Sequence, residues 1–321
     1  MCYWKTKFKI RDLEFPRFLG GPLDGVTDSP FRKVVRKFST QELLYTEMRH
    51  IARVANETWG KKTTEFDQLE RPLNFQVAAN KVDFIEKACD RILQQGIDCI
   101  DLNIGCPARN LISSGSGSAL MNDLPRLKKI LICFREKIKH IPFTVKMRAG
   151  FKVENAIEVA KLVQDCGADA MAIHPRLQSQ KFSGTPDYNL AYKVKKSVDI
   201  PVLFSGGVTD FTTAKSVYEN TGVDGFLIGR GLWAKPWKLK ELHENSIGNE
   251  YTVDKSLILK CIFDHLDNHL DYYGQNGLVL FRKHLSVYLK GMPFSCDVRK
   301  IILLTDSVDK IKSSLMGFLG T

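Results

Sequence analysis

The sequence predicts an α/β fold, a (β/α)8 barrel followed by a small all-helical domain. Three observations predict it: eight short apolar runs with helical segments between them, glycines closing several of those segments, and a composition shift near residue 243 beyond which β-rich runs stop. The runs are Phe15 to Gly20, Leu43 to Glu47, Leu73 to Ala78, Cys99 to Ile104, Phe143 to Met147, Ala170 to His174, Val202 to Ser205 and Gly225 to Ile228. Each ends in polar or glycine residues, and eight parallel strands is the number that closes such a barrel in about 250 residues.

The helical segments carry their own signature. Ile85, Ala88, Cys89 and Ile92, and again Ala156, Val159, Ala160 and Val163, fall at i, i+3, i+4 and i+7, one apolar stripe of a helix. Gly96-Ile-Asp98, Gly167-Ala-Asp169 and Gly222-Val-Asp224 each stand just before a strand. A glycine there supplies the left-handed residue that ends a helix. Beyond Trp233-Ala-Lys-Pro-Trp237 and a polar stretch from Glu244 to Asn249, the segments Leu257 to Leu270, Leu278 to Leu289 and Val298 to Leu304 read as helices of a small bundle. The expected division is a barrel over residues 1–243 and a helical domain over 244–321.

Composition bounds the function. The chain carries 47 Lys and Arg against 36 Asp and Glu, a net charge of +11, which favours a polyanionic partner such as nucleic acid or an anionic surface. In the tail Arg282, Lys283, Lys290, Arg299 and Lys300 crowd together, where they either meet phosphates or form a solvated face. The eight cysteines, at 2, 89, 99, 106, 133, 166, 261 and 296, form no CxxC pair and no Cys/His cluster at ligand spacing, so no metal is expected and reduced thiols in the cytoplasm are. The amino terminus lacks the apolar core of a signal peptide, and no apolar run reaches the roughly 18 residues of a membrane span. A monomer with no membrane attachment is the expectation.

Reactive groups of a parallel barrel gather at the carboxyl ends of its strands. Those ends bring Pro22, Leu23 and Asp24, then Gln76, Asn103 with Cys106, Lys146, His174 with Arg176, Ser205-Gly206-Gly207, and Gly229-Arg230. The last two loops offer glycine N–H groups and an arginine, the composition of an anion site. Cys106 differs from the core cysteines Cys89, Cys99 and Cys166 because it lies past a strand end between Gly105 and Pro107. Lys146, in an apolar strand, either pairs with an acid or faces the barrel mouth.

These residues stand in motifs: Gly21-Pro-Leu-Asp-Gly-Val-Thr-Asp-Ser-Pro-Phe-Arg32, Thr46-Glu-Met48, Asp101-Leu-Asn-Ile-Gly-Cys-Pro107, Gly115-Ser-Gly-Ser-Ala-Leu120, Val145-Lys-Met-Arg148, His174-Pro-Arg176, Ile228-Gly-Arg-Gly231 and Arg282-Lys-His284. In this order the chain resembles, from about Phe15 onward, the dihydrouridine synthase family of the bacterial type, FMN enzymes that reduce uridine in tRNA. The resemblance implies that Pro22, Leu23, Asp24, Gln76 and Lys146 contact the flavin and that Ser205, Gly206, Gly207, Gly229 and Arg230 hold its phosphate. It makes Cys106 the proton donor, sets Asn103 and Arg176 near flavin and base, leaves His174 to either, and makes the tail an RNA-binding domain in which Arg282 and Lys283 meet the substrate. NADPH is the reductant it implies. Gly21-Pro22-Leu23 replaces the family's usual Ala-Pro-Met, and Ser205-Gly206-Gly207 replaces Asn-Gly-Asp or Asn-Gly-Glu, so side-chain contacts from the latter loop are lost while its N–H groups remain. Pro175 replaces a common glycine.

The chemistry calls for these residue types. Hydride addition to C6 of uracil leaves enolate-like charge toward C5, which needs a proton, and a thiol with an ordinary pKa of about 8.5 is still protonated at neutral pH. A fixed lysine charge in a water-poor site stabilises an anionic reduced flavin. Two other readings remain: an FMN barrel oxidoreductase acting on a free small molecule, like a dihydroorotate dehydrogenase, and an RNA-binding barrel without catalysis.

Overall fold

Pro16 interrupts the first apolar run, because a residue without an N–H cannot serve inside a ladder. In the computed structural model, which describes residues 3–57 and 65–320, that run splits accordingly. β1 (Phe8–Ile10) and β2 (Leu13–Phe15) form an antiparallel hairpin, and only β3 (Phe18–Gly20) enters the barrel. Phe8, Ile10 and Phe15 pack with Leu19, Cys99, Ala170, Leu203 and Leu227, so the hairpin caps one end of the barrel interior with apolar side chains.

The remaining strands are β4 (Leu44–Tyr45), β5 (Arg49–His50), β6 (Leu73–Ala78), β7 (Cys99–Asn103), β8 (Phe143–Gly150), β9 (Ala170–Leu177), β10 (Val202–Ser205) and β11 (Gly225–Ile228). All pairings among them are parallel, and β3–β11 and β4–β6 contacts close a ring of eight, with β5 a short addition beside the end of β6. β4 is shorter than its apolar run because the ladder passes to a side chain: the Gln76 N–H donates to Thr46 Oγ1 at 3.0 Å. β8 and β9 run beyond their expected ends, to Gly150 and Leu177, which puts Arg148 and Arg176 on strands.

Around the barrel lie α1 (Ser29–Arg36), α2 (Ile51–Asn56), α3 (Ile85–Leu93), α4 (Arg109–Ser113), α5 (Leu124–Lys137), α6 (Ala156–Asp165), α7 (Tyr188–Ser197), α8 (Phe211–Thr221) and α9 (Lys238–Ser246). Asp28, Asp123, Asp187 and Asp210 cap α1, α5, α7 and α8 by accepting an N–H of the first turn. The expected stripes of α3 and α6 are buried, and Gly222 ends α8 at φ +66.

The aspartates of the Gly-x-Asp repeat have a role that composition did not suggest. Asp98, Asp169 and Asp224 each accept, at 2.8 Å, the first N–H of a neighbouring strand, from Leu73, Phe143 and Val202. Each is also paired with a cation, Arg71, Arg135 or Lys195. Asp169→Ala is therefore expected to cost about 1–3 kcal/mol in urea unfolding, the price of an orphaned N–H and a released guanidinium.

The tail contains four helices, α10 (Lys255–Tyr273), α11 (Gly277–Tyr288), α12 (Ser295–Leu304) and α13 (Val308–Leu319). Three of them match the expected segments; α13, capped by Ser307, is additional and contributes Ile311, Leu315 and Leu319 to the tail core. Residue 243 falls inside α9, whose Leu239 and Leu242 belong to the barrel core, whereas the tail core gathers Trp233, Ala234 and Trp237 from before that helix together with Tyr251, Val253 and residues after it. That core also takes in Val34 of α1.

Candidate active site

Side chains alternate across a strand, so residues two apart share a face. Gln76 of β6, Asp101 and Asn103 of β7, Thr144, Lys146 and Arg148 of β8, and His174 and Arg176 of β9 obey that spacing. The register pairs Gln76 with Asp101, Asp101 with Thr144, Asn103 with Lys146 and Arg148 with His174. A polar layer thus lies above the apolar one the hairpin caps.

Hydrogen bonds run through this layer to the cysteine. Asp101, fully buried, accepts from Gln76 Nε2 at 2.7 Å and Thr144 Oγ1 at 2.6 Å. Gln76 Oε1 accepts from Asn103 Nδ2 at 3.0 Å, and Asn103 Oδ1 accepts the N–H groups of Gly105 and Cys106 at 3.0 and 2.8 Å. The amide of Asn103 therefore shapes the turn that presents Cys106. Arg148 anchors the same turn, donating to Gly105 O at 2.8 Å while holding Lys181 O at 2.8 Å. Gly117 is needed beneath it, because at φ +59 a Cβ would sit 2.9 Å from the Cys106 carbonyl oxygen.

Electrostatics follow from burial. Burial raises the Asp101 carboxyl to about 6, against the hydrogen bonds of Thr144 and Gln76 and the charge of Lys146. Burial, with Arg148 adding repulsion, lowers Lys146 to about 8, so its ammonium persists at neutral pH. Burial also pushes the Cys106 thiol up, opposed by the Ala108 N–H and the charge of Lys146. The sulfur is therefore held as a thiol, the form an acid needs.

At the other side His174 accepts at Nε2 from Arg176 Nη1, 2.9 Å away, since a guanidinium only donates. Burial and the charges of Lys146, Arg148, Arg176 and Arg230 push its imidazole down to about 2, so it stays neutral. Gly206, at φ +117, lies so close that a Cβ would stand 2.6 Å from His174 Cδ2. The N–H groups of Gly207 and Arg230 have no acceptor among the described residues. Leu23 packs on Gly229, and the Gly21 N–H donates to Ile228 O at 2.8 Å, so the first and last loops adjoin. Glycine turns, open N–H donors and Arg230 fit a phosphate.

The expected residues are not all equal. Pro22, Leu23, Gln76, Asn103, Cys106, Lys146, His174, Arg176, Ser205, Gly206, Gly207, Gly229 and Arg230 lie at the carboxyl ends of the strands or in the loops that follow. Asp24 is at the lip, largely exposed, 3.8 Å from Arg49. Lys283 faces the barrel, its Nζ 3.7 Å from where a Gly25 Cβ would be. Arg282 instead grips Asp306 at 2.5 Å. Arg176 is braced on Gly184 O at 2.6 Å. Sequence reasoning missed Asp101, Thr144 and Arg148, although two-residue spacing from Asn103 and Lys146 was a usable signal. It also missed Phe182, a half-exposed ring lying 4.4 Å over Arg230, which no local pattern marks.

A closed parallel barrel with a half-buried lysine, a thiol held protonated and a glycine-arginine cradle at one end has the architecture of the (β/α)8 enzymes. Residues 19–315 match the sequence profile of the dihydrouridine synthase family, Dus. The chain belongs to that family. It is 31% identical over 325 residues to a probable tRNA-dihydrouridine synthase 1 of Synechocystis, covering 99% of this chain and 91% of that protein. Against a probable tRNA-dihydrouridine synthase of Rickettsia conorii it is 32% identical over 317 residues, covering 97% and 96%. The old yellow enzyme homologue of Zymomonas mobilis shares the fold, with a TM-score of 0.58 at 13% identity over 76% of this chain and 93% of that one.

Proposed function

We propose that this protein reduces the C5=C6 bond of uridine in tRNA, using a flavin. Its family and the names of relatives about 30% identical to it support the reading. The observation that carries the chemistry is a cysteine held as a thiol within the field of a half-buried lysine at the barrel mouth. FMN suits the cradle: Ser205, Gly206, Gly207, Gly229 and Arg230 would hold its phosphate, with Pro22, Leu23, Asp24, Gln76 and Lys146 around the ring and His174 beside it. When bound and reduced by NADPH, it supplies hydride to C6.

The chain's own residues do the rest. Cys106 delivers the proton from Sγ to C5, Asn103 holds the turn that aims the sulfur, and Asn103 and Arg176 orient the base. Lys146 offsets negative charge in a site without bulk water. A base inside folded RNA must leave its stack at a cost of a few kcal/mol, which phosphate contacts offset. Among the tail cations we assign such a contact to Lys283 rather than to Arg282, whose guanidinium Asp306 engages. Lys283→Ala is then expected to weaken tRNA binding and lower the slope of log K against log salt by about one, while Arg282→Ala leaves the slope unchanged.

The deciding experiment maps dihydrouridine in RNA from cells with and without this protein, and assays the purified yellow enzyme on unmodified tRNA and on free uracil or orotate. Position-specific loss of dihydrouridine and tRNA-dependent turnover support the proposal. Turnover of free base alone would overturn it in favour of a small-molecule reductase.

A further inference from the structure

Three histidines of the tail, His265, His269 and His284, are fully buried where α10 and α11 meet α1 of the barrel, their nearest ring nitrogens within 4.8 Å of one another. Nε2 of His265 and of His284 find no partner among the described residues, which invites a cation. The hydrogen bonds oppose it. Trp233 Nε1, which can only donate, points at His284 Nδ1 from 3.2 Å, so that nitrogen accepts. The neutral ring then carries its proton on Nε2, the atom a metal would need.

The outward contacts of these rings point elsewhere. Trp233 closes the last loop of the barrel: its main-chain N–H donates to Arg230 O at 3.3 Å, directly after the Gly229-Arg230 turn. His284 therefore grips that loop from outside. At the first loop His269 does the same. Its Nδ1 faces Gly277 O and its Nε2 faces Asp28 Oδ2, each at 3.1 Å; both oxygens accept, so the ring donates on both sides. Tyr273 Oη adds a second bond to the same carboxylate oxygen at 3.1 Å. Asp28 ends the segment that begins at Gly21 and caps α1 through the Phe31 N–H.

We propose that His269 and His284 are positioning residues for the cofactor loops: from outside the barrel, the tail fastens the segment 21–28 and the segment 229–233, which adjoin where the first and last strands meet. The barrel ring is closed at that junction by the three-residue β3 against the four-residue β11, a short ladder for two loops that must hold a ligand between them. Phe31 lies between the two grips, its ring stacked on His284 with centroids 6.1 Å apart. Electrostatics agree with the geometry: burial alone would raise the Asp28 carboxyl, yet the bond and charge of His269 hold it well below the usual range. The tail thereby serves the flavin site as well as any RNA.

This inference rests on the flavin reading above only for its ligand. The test compares wild type with His284→Phe, His269→Gln and His284→Gln. It reads FMN affinity well below the unfolding temperature, so that a lower global stability does not mimic weaker binding, and amide hydrogen exchange of residues 21–28 and 229–233 in flavin-free protein. His284→Phe is expected to weaken FMN binding roughly tenfold and to speed exchange in 229–233 by a similar factor, since Trp233 loses its acceptor. His269→Gln, whose one amide nitrogen replaces two ring nitrogens that face Gly277 O and Asp28 Oδ2 from opposite sides, speeds exchange in 21–28. His284→Gln, whose amide oxygen still accepts from Trp233, restores most of the loss. Trp233→Phe removes the same bond from the other side and stands in if His284→Phe does not fold. Unchanged exchange in both segments overturns the proposal. A wild type that takes no FMN sinks the flavin reading, and the exchange data then decide the bracing by themselves.

Discussion

Cys106→Ala is expected to lower turnover by about 10²–10⁴-fold, the contribution of one general acid, with flavin and tRNA binding kept. The side chain removed is small and half-buried, and the turn that presents it is held by main-chain N–H groups on Asn103 and by Arg148 on the Gly105 carbonyl, none of which involves the sulfur. The scaffold should therefore stay as it is. A pH profile gives a sharper readout. Burial raises the thiol above its usual value, so wild-type turnover holds through neutral pH and falls only in the alkaline range as the sulfur loses its proton. Cys106→Ser retains a hydroxyl of much higher pKa and is expected to be slow, without that alkaline limb. Stopped-flow oxidation of reduced enzyme by tRNA across pH measures both; unchanged turnover in the alanine variant would remove Cys106 from the mechanism.

Lys146→Met has the second large effect, and it has two opposite signs. The ammonium is charged below about 8 in the folded protein, where burial disfavours it, whereas an unfolded lysine is charged up to about 10.5. Between those values the unfolded chain binds more protons, so stability rises with pH across that window, and below it the full cost of burying the charge is present. That cost is about 3 kcal/mol. The flavin-free Met variant should accordingly unfold at higher urea than wild type at pH 7, with the difference closing as pH rises from 8 to 10.5. Flavin binding or reduction should weaken about 10–100-fold, because a fixed cation beside a developing anion is lost. A variant equal to wild type in both respects would show Lys146 to be a tolerated core residue. Both effects together would mark a site that costs the fold stability to keep a charge where chemistry uses it.

The fold was legible wherever pattern is local. The α3 and α6 stripes and the Gly96 and Gly167 stops depend on neighbours within a turn or two, and they appear as read. Errors arose where distant partners decide. Pro16 divides the first run, and its apolar half caps the barrel interior. β8 and β9 outlast their apolar runs because each supplies the other's ladder partners up to Gly150 and Leu177. The fourth tail helix is an exception: its Ser307 cap and its stripe of Val308, Ile311, Leu315 and Leu319 are local signals as legible as those of α3 and α6.

The site divides the same way. Strand ends and motifs located Cys106, Lys146, Gln76 and the glycine loops, since a parallel barrel converts sequence position at a strand end into position at the mouth. Period two extended to Asp101, Thr144 and Arg148, had it been applied to both neighbours of each chosen residue. Arg282 and Lys283, adjacent in sequence, illustrate the remainder: successive helical residues point about 100° apart, and only one meets the barrel.

Strand number, the order of the loops, the basic balance and the identity of the candidate site residues are thus properties of the chain itself, because they follow from short-range spacing and composition. Protonation states, the bond to Asn103 that turns Cys106, the neutrality of His174 and the grip of His269 on a loop more than 200 residues earlier belong to the tertiary structure. Each depends on burial and on charges brought together from separate elements, and neither burial nor proximity exists until the barrel closes and the tail docks on α1.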